Sequence, residues 1–282
     1  MTTWEALILG IVEGLTEFVP VSSTGHLILT GAFLGLGDTE AQKAAIDAFD
    51  IVIQAGAWFA AVLYYAPLLR RRLGGLLAED VLEQAHGMRL VVNLAVAFVP
   101  VVIVGLLARK AIKAVLFGTA PVAVALAVGG VAMIVADRMR SRAEASATIR
   151  EIDEIGWKQA LQVGLWQCLA LVPGTSRSMS TILGGLVAGM TPRVAADFSF
   201  LLAIPVLGAA TAYELLKEWH VLVEGLGATA IGVGLLASFL VGWASIAVFL
   251  RVIVAKGLVP FGVYRIVLAA VVWWALVRPG GA

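Results

Sequence analysis

Two polar, proline-broken stretches interrupt a chain that is otherwise apolar enough for lipid, and they lie about 153 positions apart. The first is Glu13-Gly-Leu-Thr-Glu-Phe-Val-Pro-Val-Ser-Ser-Thr-Gly-His26, the second Leu171-Val-Pro-Gly-Thr-Ser-Arg-Ser178. Each carries a Val-Pro pair followed by two hydroxyl residues, Val19-Pro20-Val21-Ser22-Ser23 against Val172-Pro173-Gly174-Thr175-Ser176. Ionisable groups are costly in hydrocarbon, so stretches of this kind mark a site. The reading that follows is one element used twice, with a site assembled from both copies.

The surrounding sequence sets the class. At 61% hydrophobic and 14% charged residues the chain is too apolar for a soluble domain of 282 residues, and it reads as an all-α polytopic membrane protein. Apolar runs near the roughly 20 residues that span a bilayer occur at Phe49–Leu69, Leu90–Ala108, Ala114–Ala136, Val194–Leu216, Leu226–Leu250 and Leu258–Val277, which predicts six spanning helices. Trp4–Leu36 and Trp157–Met190 are longer than one crossing and are broken in the middle, so each is expected to form a re-entrant helical hairpin. Half-helices of about a dozen residues rise roughly 20 Å, enough to reach mid-membrane. Irregular backbone at that depth survives only against protein or a wet cavity.

The expected organisation is therefore one membrane domain over 1–282 made of two repeats, 1–140 and 155–282. Each is a hairpin, 4–36 or 157–190, followed by three spans. An odd number of crossings turns the second copy upside down, giving an inverted-topology repeat whose site lies where the broken helices meet. Ala6, Leu7, Gly10 and Glu13 also fall on Ala160, Leu161, Gly164 and Gln167 at a spacing of 154, one more than at the Val-Pro pairs.

Charge placement gives an orientation. One face collects Arg70, Arg71, Arg72, Arg89, Arg138, Arg140, Arg142, Arg150, Lys158, Arg193, Arg251 and Lys256. The other has half as many, Lys43, Arg109, Lys110, Lys113, Lys217 and Arg278, while Arg177 and Arg265 stay inside the apolar layer. The positive-inside rule makes the first face cytoplasmic and puts both termini outside. Glu13 and Glu17 in the first apolar run argue against a cleaved signal peptide. The single cysteine, Cys168, cannot form an intramolecular disulfide. A net charge of +1 without a long basic block gives no reason to expect nucleic acid as a partner.

Glu13 and Glu17, four apart, stack on one helix face. Two such carboxylates in a low dielectric call for a cation or an arginine such as Arg177 between them. Carboxylate oxygens with a substrate phosphate suit Mg²⁺ or Ca²⁺, whereas the bland alternative is a glutamate that braces the hairpin. Ser22, Ser23 and Thr24 sit where the second half-helix should start, as do Thr175, Ser176 and Ser178 in the other hairpin. Hydroxyls there are ordinarily caps, but the clusters hold more of them than capping needs. Two half-helix N-termini aimed at one point favour an anion, and the Arg177 fork suits phosphate oxygens. His26, one turn past Ser23, can approach the same turn and move a proton at neutral pH. His86 and His220 fall in predicted loops. Asp50, Gln54 and Arg265 either support the site or hydrogen-bond between helices.

The parts fit phosphoryl transfer to water from a substrate whose tail stays in lipid, with Ser23 activated by His26 or a water activated by Glu17 or by metal as nucleophile. A lipid transporter would use the same anion cradle but would not need Ser23 and His26 together.

At Glu13–His26 and Pro173–Ser178 the chain resembles the undecaprenyl-diphosphate phosphatase family linked to bacitracin resistance. The similarity extends over Phe49-Asp-Ile-Val-Ile-Gln-Ala-Gly56, Asp197-Phe-Ser-Phe-Leu-Leu-Ala-Ile-Pro205 and Pro260-Phe-Gly-Val-Tyr-Arg265. The resemblance implies hydrolysis of the C55 isoprenoid diphosphate to the monophosphate, recycling the carrier lipid for peptidoglycan synthesis. It implies Glu13 and Glu17 as the acidic pair, Ser23 and His26 as catalytic, and Arg177 as phosphate-binding. A divalent cation, an inner-membrane location and a site open to the periplasm are also implied. Polyprenyl diphosphate and membrane lipids are the expected partners; whether the chain forms a homo-oligomer is not legible. The family usually continues Ser-Arg-Ser with Gly-Ala-Thr, whereas here Met179-Ser-Thr181 follows. Met179 is then expected either to be strained at a positive-φ turn or to narrow the pocket beside Arg177.

Overall fold

A computed structural model describes residues 1–36, 40–116, 118–138, 147–225 and 227–277, with the side chains at 40–44, 109–111, 113–115, 214 and 218–225 left outside the description. Lys43, Arg109, Lys110, Lys113, Arg140, Arg142 and Arg278, all used for the orientation, and the His220 side chain thus lie outside the described residues. In chain order α1 spans Thr3–Thr16, α2 Ser23–Phe33, α3 Glu40–Tyr64, α4 Ala66–Gly75, α5 Val81–Leu116 and α6 Thr119–Arg138. After a 3₁₀ turn at Ile152–Glu154 come α7 Trp157–Gln167, a 3₁₀ turn at Cys168–Leu171, α8 Arg177–Val187, α9 Pro192–Gly225, α10 Ala228–Lys256 and α11 Val259–Val272. The described residues form no strand, only an isolated bridge between Ile149 and Met190.

Among the described residues six segments are long and apolar enough to cross a membrane: Ala45–Tyr64, Val81–Ala108, Thr119–Arg138, Pro192–Lys217, Ala228–Lys256 and Val259–Val277. The chain is an all-helical, multi-pass membrane protein. The first span ends earlier than the apolar run, because Tyr65 leaves helical geometry (φ −91°, ψ 4°) and Pro67 opens α4. Residues 114–116 belong to the end of α5 instead of the next span, since the chain breaks before α6 begins at Thr119.

His86 and His220 do not sit in loops; α5 and α9 include both positions. Helices outrun their apolar windows wherever polar partners hold the extra turns. At the start of α5, Glu83 takes Arg71 at 2.6 Å and Arg72 at 3.1 Å. Arg72 also pairs with Asp153 in the segment between the two halves. Asn93 donates to the Ile155 carbonyl at 2.7 Å.

The two halves pack by reciprocal exchange. Helix α1 lies on α10 and α7 on α5, α3 meets α10 while α9 meets α5, and α6 pairs with α11. The close approaches rest on glycine at matching positions. A Cβ on Gly10 would collide with the Gly234 carbonyl of α10, and one on Gly164 with the Ala97 carbonyl of α5. An aromatic line runs inward from the first turn: Phe18 meets Phe200 at 5.2 Å, Phe200 meets Phe249 at 5.7 Å, and Phe249 meets Phe261 at 5.2 Å.

Candidate active site

Both proline clusters break the helix. Pro20 lies in the turn joining α1 to α2, and Pro173 in the turn joining α7 to α8. Helix α1 stops at Thr16, although Glu17 keeps helical angles and donates its N–H to the Glu13 carbonyl at 2.9 Å. Glu13 and Glu17 therefore share a face as the spacing requires. The chain restarts on Ser22 (φ 73°), whose Oγ accepts from Gly25 N at 3.4 Å, and on Ser176 (φ 74°), whose Oγ accepts from Met179 N at 3.3 Å. Among the described residues these are the only non-glycine positions with positive φ, a conformation costing about 1–3 kcal/mol each.

The strained serines lie 154 positions apart, as Gly10 and Gly164 do. The Val-Pro pairs at 153 are therefore one residue out of register with the helix starts, so Ser22 corresponds to Ser176, and Ser23 to Arg177. Each strained serine turns its carbonyl onto the residue four ahead. Ser22 O accepts from His26 N at 3.4 Å and faces its Nδ1 at 2.7 Å; Ser176 O accepts from Ser180 N at 3.1 Å and Oγ at 3.0 Å.

Three side chains tie the turns together. Arg177 Nη2 meets Glu17 Oε1 at 3.3 Å, Nη1 donates to the Ser199 carbonyl at 3.1 Å, and the guanidinium stands 6.0 Å from the Phe18 ring. Ser178 Oγ donates to the Val19 carbonyl at 3.1 Å. Arg265, fully buried on α11, donates to Pro20 O at 3.2 Å and Gly174 O at 2.9 Å, one carbonyl in each turn. It also donates to Ala125 O at 3.0 Å and Leu126 O at 3.3 Å of α6. No carboxylate pairs with it among the described residues. Arg265 thus hydrogen-bonds between helices and, through two of those bonds, also supports the turns of the candidate site.

Glu17 is the hub. Its Oε2 accepts from Ser23 Oγ at 2.8 Å while Oε1 faces Arg177. Ser23 hydrogen-bonds to Glu17 and not to His26, both of whose ring nitrogens are engaged elsewhere, Nε2 lying 2.7 Å from the Tyr264 hydroxyl. Of the other hydroxyls, Ser22 and Ser176 cap their helices and Ser178 spans the turns. Thr24 is exposed and Thr175 half-buried, and neither side chain has a hydrogen bond among the described residues. The N–H groups of Ser23, Thr24, Arg177 and Ser178, in the first turns of α2 and α8, have no acceptor there either, as expected of helix starts.

Glu13 is 1% exposed and its Oε1 has no partner; the charges around it belong to Glu17, Asp50 and Arg177. Asp50 likewise has an unpartnered buried oxygen, Oδ1. Among the described residues no group of three or more His, Cys, Asp or Glu is arranged to hold a metal. Two hard carboxylates with one free oxygen nevertheless suit Mg²⁺, which commonly takes one or two carboxylates and completes its shell with water and substrate phosphate.

Met179 lies inside α8 with helical geometry, so the expectation of a strained turn is overturned. Its sulfur instead fills the space left by Gly129 of α6, where a Cβ would strike both Met179 and the Arg265 guanidinium. Sequence reasoning missed Tyr264 and Ser199. The only available signal was that both fall in polar-bearing strings inside apolar runs.

A sequence model of the family described as bacitracin resistance protein BacA matches residues 6–271. The chain belongs to the BacA family. Its relatives in that family include the undecaprenyl-diphosphatase of Sorangium cellulosum (strain So ce56), 48% identical over 275 residues, 97% of this chain and 86% of the other. Undecaprenyl-diphosphatase 1 of Paraburkholderia xenovorans (strain LB400) is 47% identical over 93% of this chain and 91% of its own length. The undecaprenyl-diphosphatase of Polaromonas naphthalenivorans (strain CJ2) is 48% identical over 95% and 93%. These BacA relatives are named for phosphatase activity, which does not favour the transporter alternative.

Proposed function

We propose that this BacA-family chain hydrolyses undecaprenyl diphosphate to undecaprenyl phosphate and inorganic phosphate, returning the carrier lipid to cell-wall synthesis and conferring bacitracin resistance. The observation that carries the reading is the contact line Ser23–Glu17–Arg177, which brings a hydroxyl, a carboxylate and a guanidinium from both turns together. The Arg177 fork and the free N–H groups at the starts of α2 and α8 hold the diphosphate. Ser22, Thr24, Thr175, Ser176 and Ser178 shape that cradle. Ser23 Oγ attacks the terminal phosphorus and its proton passes to Glu17. The bond from that phosphorus to the bridging oxygen breaks, and undecaprenyl phosphate departs. Water then cleaves the phosphoserine and releases phosphate, with His26 as the proton carrier. Glu13 and Glu17 hold a divalent cation, Mg²⁺ or Ca²⁺, which supplies charge neutralisation at the phosphate oxygens when bound.

The two broken helix pairs act as re-entrant hairpins of an inverted repeat. The reciprocal packing and the strained serines 154 apart support that reading. The excess of Lys and Arg on one face supports placing both termini on the periplasmic side, and membership of the BacA family supports an inner-membrane location and a site open to the periplasm. The test is phosphate release by detergent-purified protein from a long-chain polyprenyl diphosphate with Mg²⁺ or Ca²⁺, followed by acid trapping with terminally labelled substrate. Label recovered on Ser23 is the expected result. Release without any trapped label, at a rate unchanged in Ser23→Ala, would instead require direct attack by water.

A further inference from the structure

The His26 ring is held from both sides by groups that leave it a single protonation pattern. A carbonyl can only accept, so the Nδ1 that lies 2.7 Å from Ser22 O carries the hydrogen. The neutral ring then has its lone pair on Nε2, and the Tyr264 hydroxyl at 2.7 Å donates to it. The two rings also stack, with centroids 5.5 Å apart and planes 5° from parallel. Tyr264 stands on α11 immediately before Arg265, so the helix that ties the two turns together also reaches His26.

We infer that Tyr264 is the positioning residue that fixes the plane of His26 and anchors its basic nitrogen Nε2, the tautomer itself being set by the Ser22 carbonyl at Nδ1. The inference rests on the proposed role of His26 as proton carrier. Two proton paths are thereby kept apart. Ser23 empties onto Glu17 at 2.8 Å, while Nε2 of His26 is held by the Tyr264 hydroxyl. Stacking alone would hold the ring plane but would leave Nε2 without a hydrogen bond.

The experiment compares wild type, Tyr264→Phe and Tyr264→Leu in detergent. Nitrogen NMR of protein labelled with ¹⁵N-histidine reads the tautomer, the His26 signals being assigned by their loss in His26→Asn. Wild type is expected to show one tautomer with hydrogen on Nδ1 and a hydrogen-bonded Nε2. In Tyr264→Phe the Nε2 signal loses its hydrogen-bond shift while the hydrogen stays on Nδ1, and kcat falls about 10–100-fold with KM within about twofold. Tyr264→Leu is expected to be little worse, because the hydroxyl is already gone. An unchanged His26 spectrum with wild-type kcat in Tyr264→Phe would overturn the inference, as would a wild-type Tyr264→Phe beside an impaired Tyr264→Leu. If His26→Asn hydrolyses at the wild-type rate, the catalytic reading of His26 fails, and the NMR comparison still decides whether Tyr264 anchors Nε2.

Discussion

Replacing Arg265 with lysine keeps the buried charge but removes the fork, and the consequence can be worked from its four contacts. Ala125 O and Leu126 O lie within α6 and keep their intrahelical partners, so little is lost there. Pro20 O and Gly174 O have no other donor among the described residues. An orphaned buried carbonyl costs about 1–3 kcal/mol, and one ammonium at the end of a single stem reaches at most one of the two turns. Arg265→Lys should therefore weaken one turn by about 1–3 kcal/mol, raising local amide exchange about 5- to 150-fold. Hydrogen–deuterium exchange with peptide resolution is the assay, read over 17–23 and 172–177. The Arg72–Glu83–Asp153 cluster serves as an internal control that should not change. Phosphate release should fall together with the loss of protection, because Arg177, Ser23 and Glu17 are brought together only while the two turns stay docked. Unaltered exchange at both turns with retained activity would refute the assignment of Arg265 as the tie.

Arg177→Lys keeps a charge near Glu17 but not the bidentate geometry, and phosphate release is expected to fall on the order of a hundredfold or more. Near-normal turnover in a steady-state assay would remove Arg177 from the phosphate cradle. Chelation should stop release and added Mg²⁺ or Ca²⁺ restore it, with Glu13→Gln requiring more cation for half-maximal rate; a cation titration identical to wild type would exclude Glu13 as a ligand. Ser176→Ala loses the cap yet keeps the strained backbone, so it should destabilise by about 1 kcal/mol, whereas Ser176→Gly relieves the strain and should be neutral or stabilising. Thermal unfolding in detergent that ranked the two in the opposite order would show that φ 74° is not strained here. Gly164→Leu should unfold the chain at lower temperature by driving α7 off Ala97, and an unaffected melting curve would deny the close approach of α7 and α5.

Much of the architecture was legible because the membrane imposes it. Runs of about 20 apolar residues announce spans, and a proline among hydroxyls inside one announces a break. The ends of the spans were less legible, since the first turns of α5 need only Arg71 and Arg72 opposite Glu83, not apolarity, to remain helical. Glu13, Glu17, Ser23 and Arg177 were readable as a group because each sits in one of two compact motifs whose turns then meet. The pairing of Ser23 with Glu17 in place of His26 was not, because it depends on how Ser22 orients its carbonyl. The contact of Tyr264 with His26 was missed for a different reason. Tyr264 lies 238 positions from His26, and no local period links a residue on the last helix to a turn near the first. The one-residue slip between the Val-Pro pairs and the helix starts was beyond sequence matching, which cannot see that Ser22 and Ser176 share a backbone angle.

The dependence of both turns on Arg265 has a consequence for how the protein is made. Translation delivers the Glu17 turn first and the Gly174 turn much later, and the side chain that fastens them belongs to the last of the described helices to leave the ribosome. An unfinished chain can insert its early helices, but its candidate site stays unlatched until α11 arrives. Competence for the reaction is thus gated by delivery of α11, and a chain halted before α11 should occupy the bilayer without acting on the lipid.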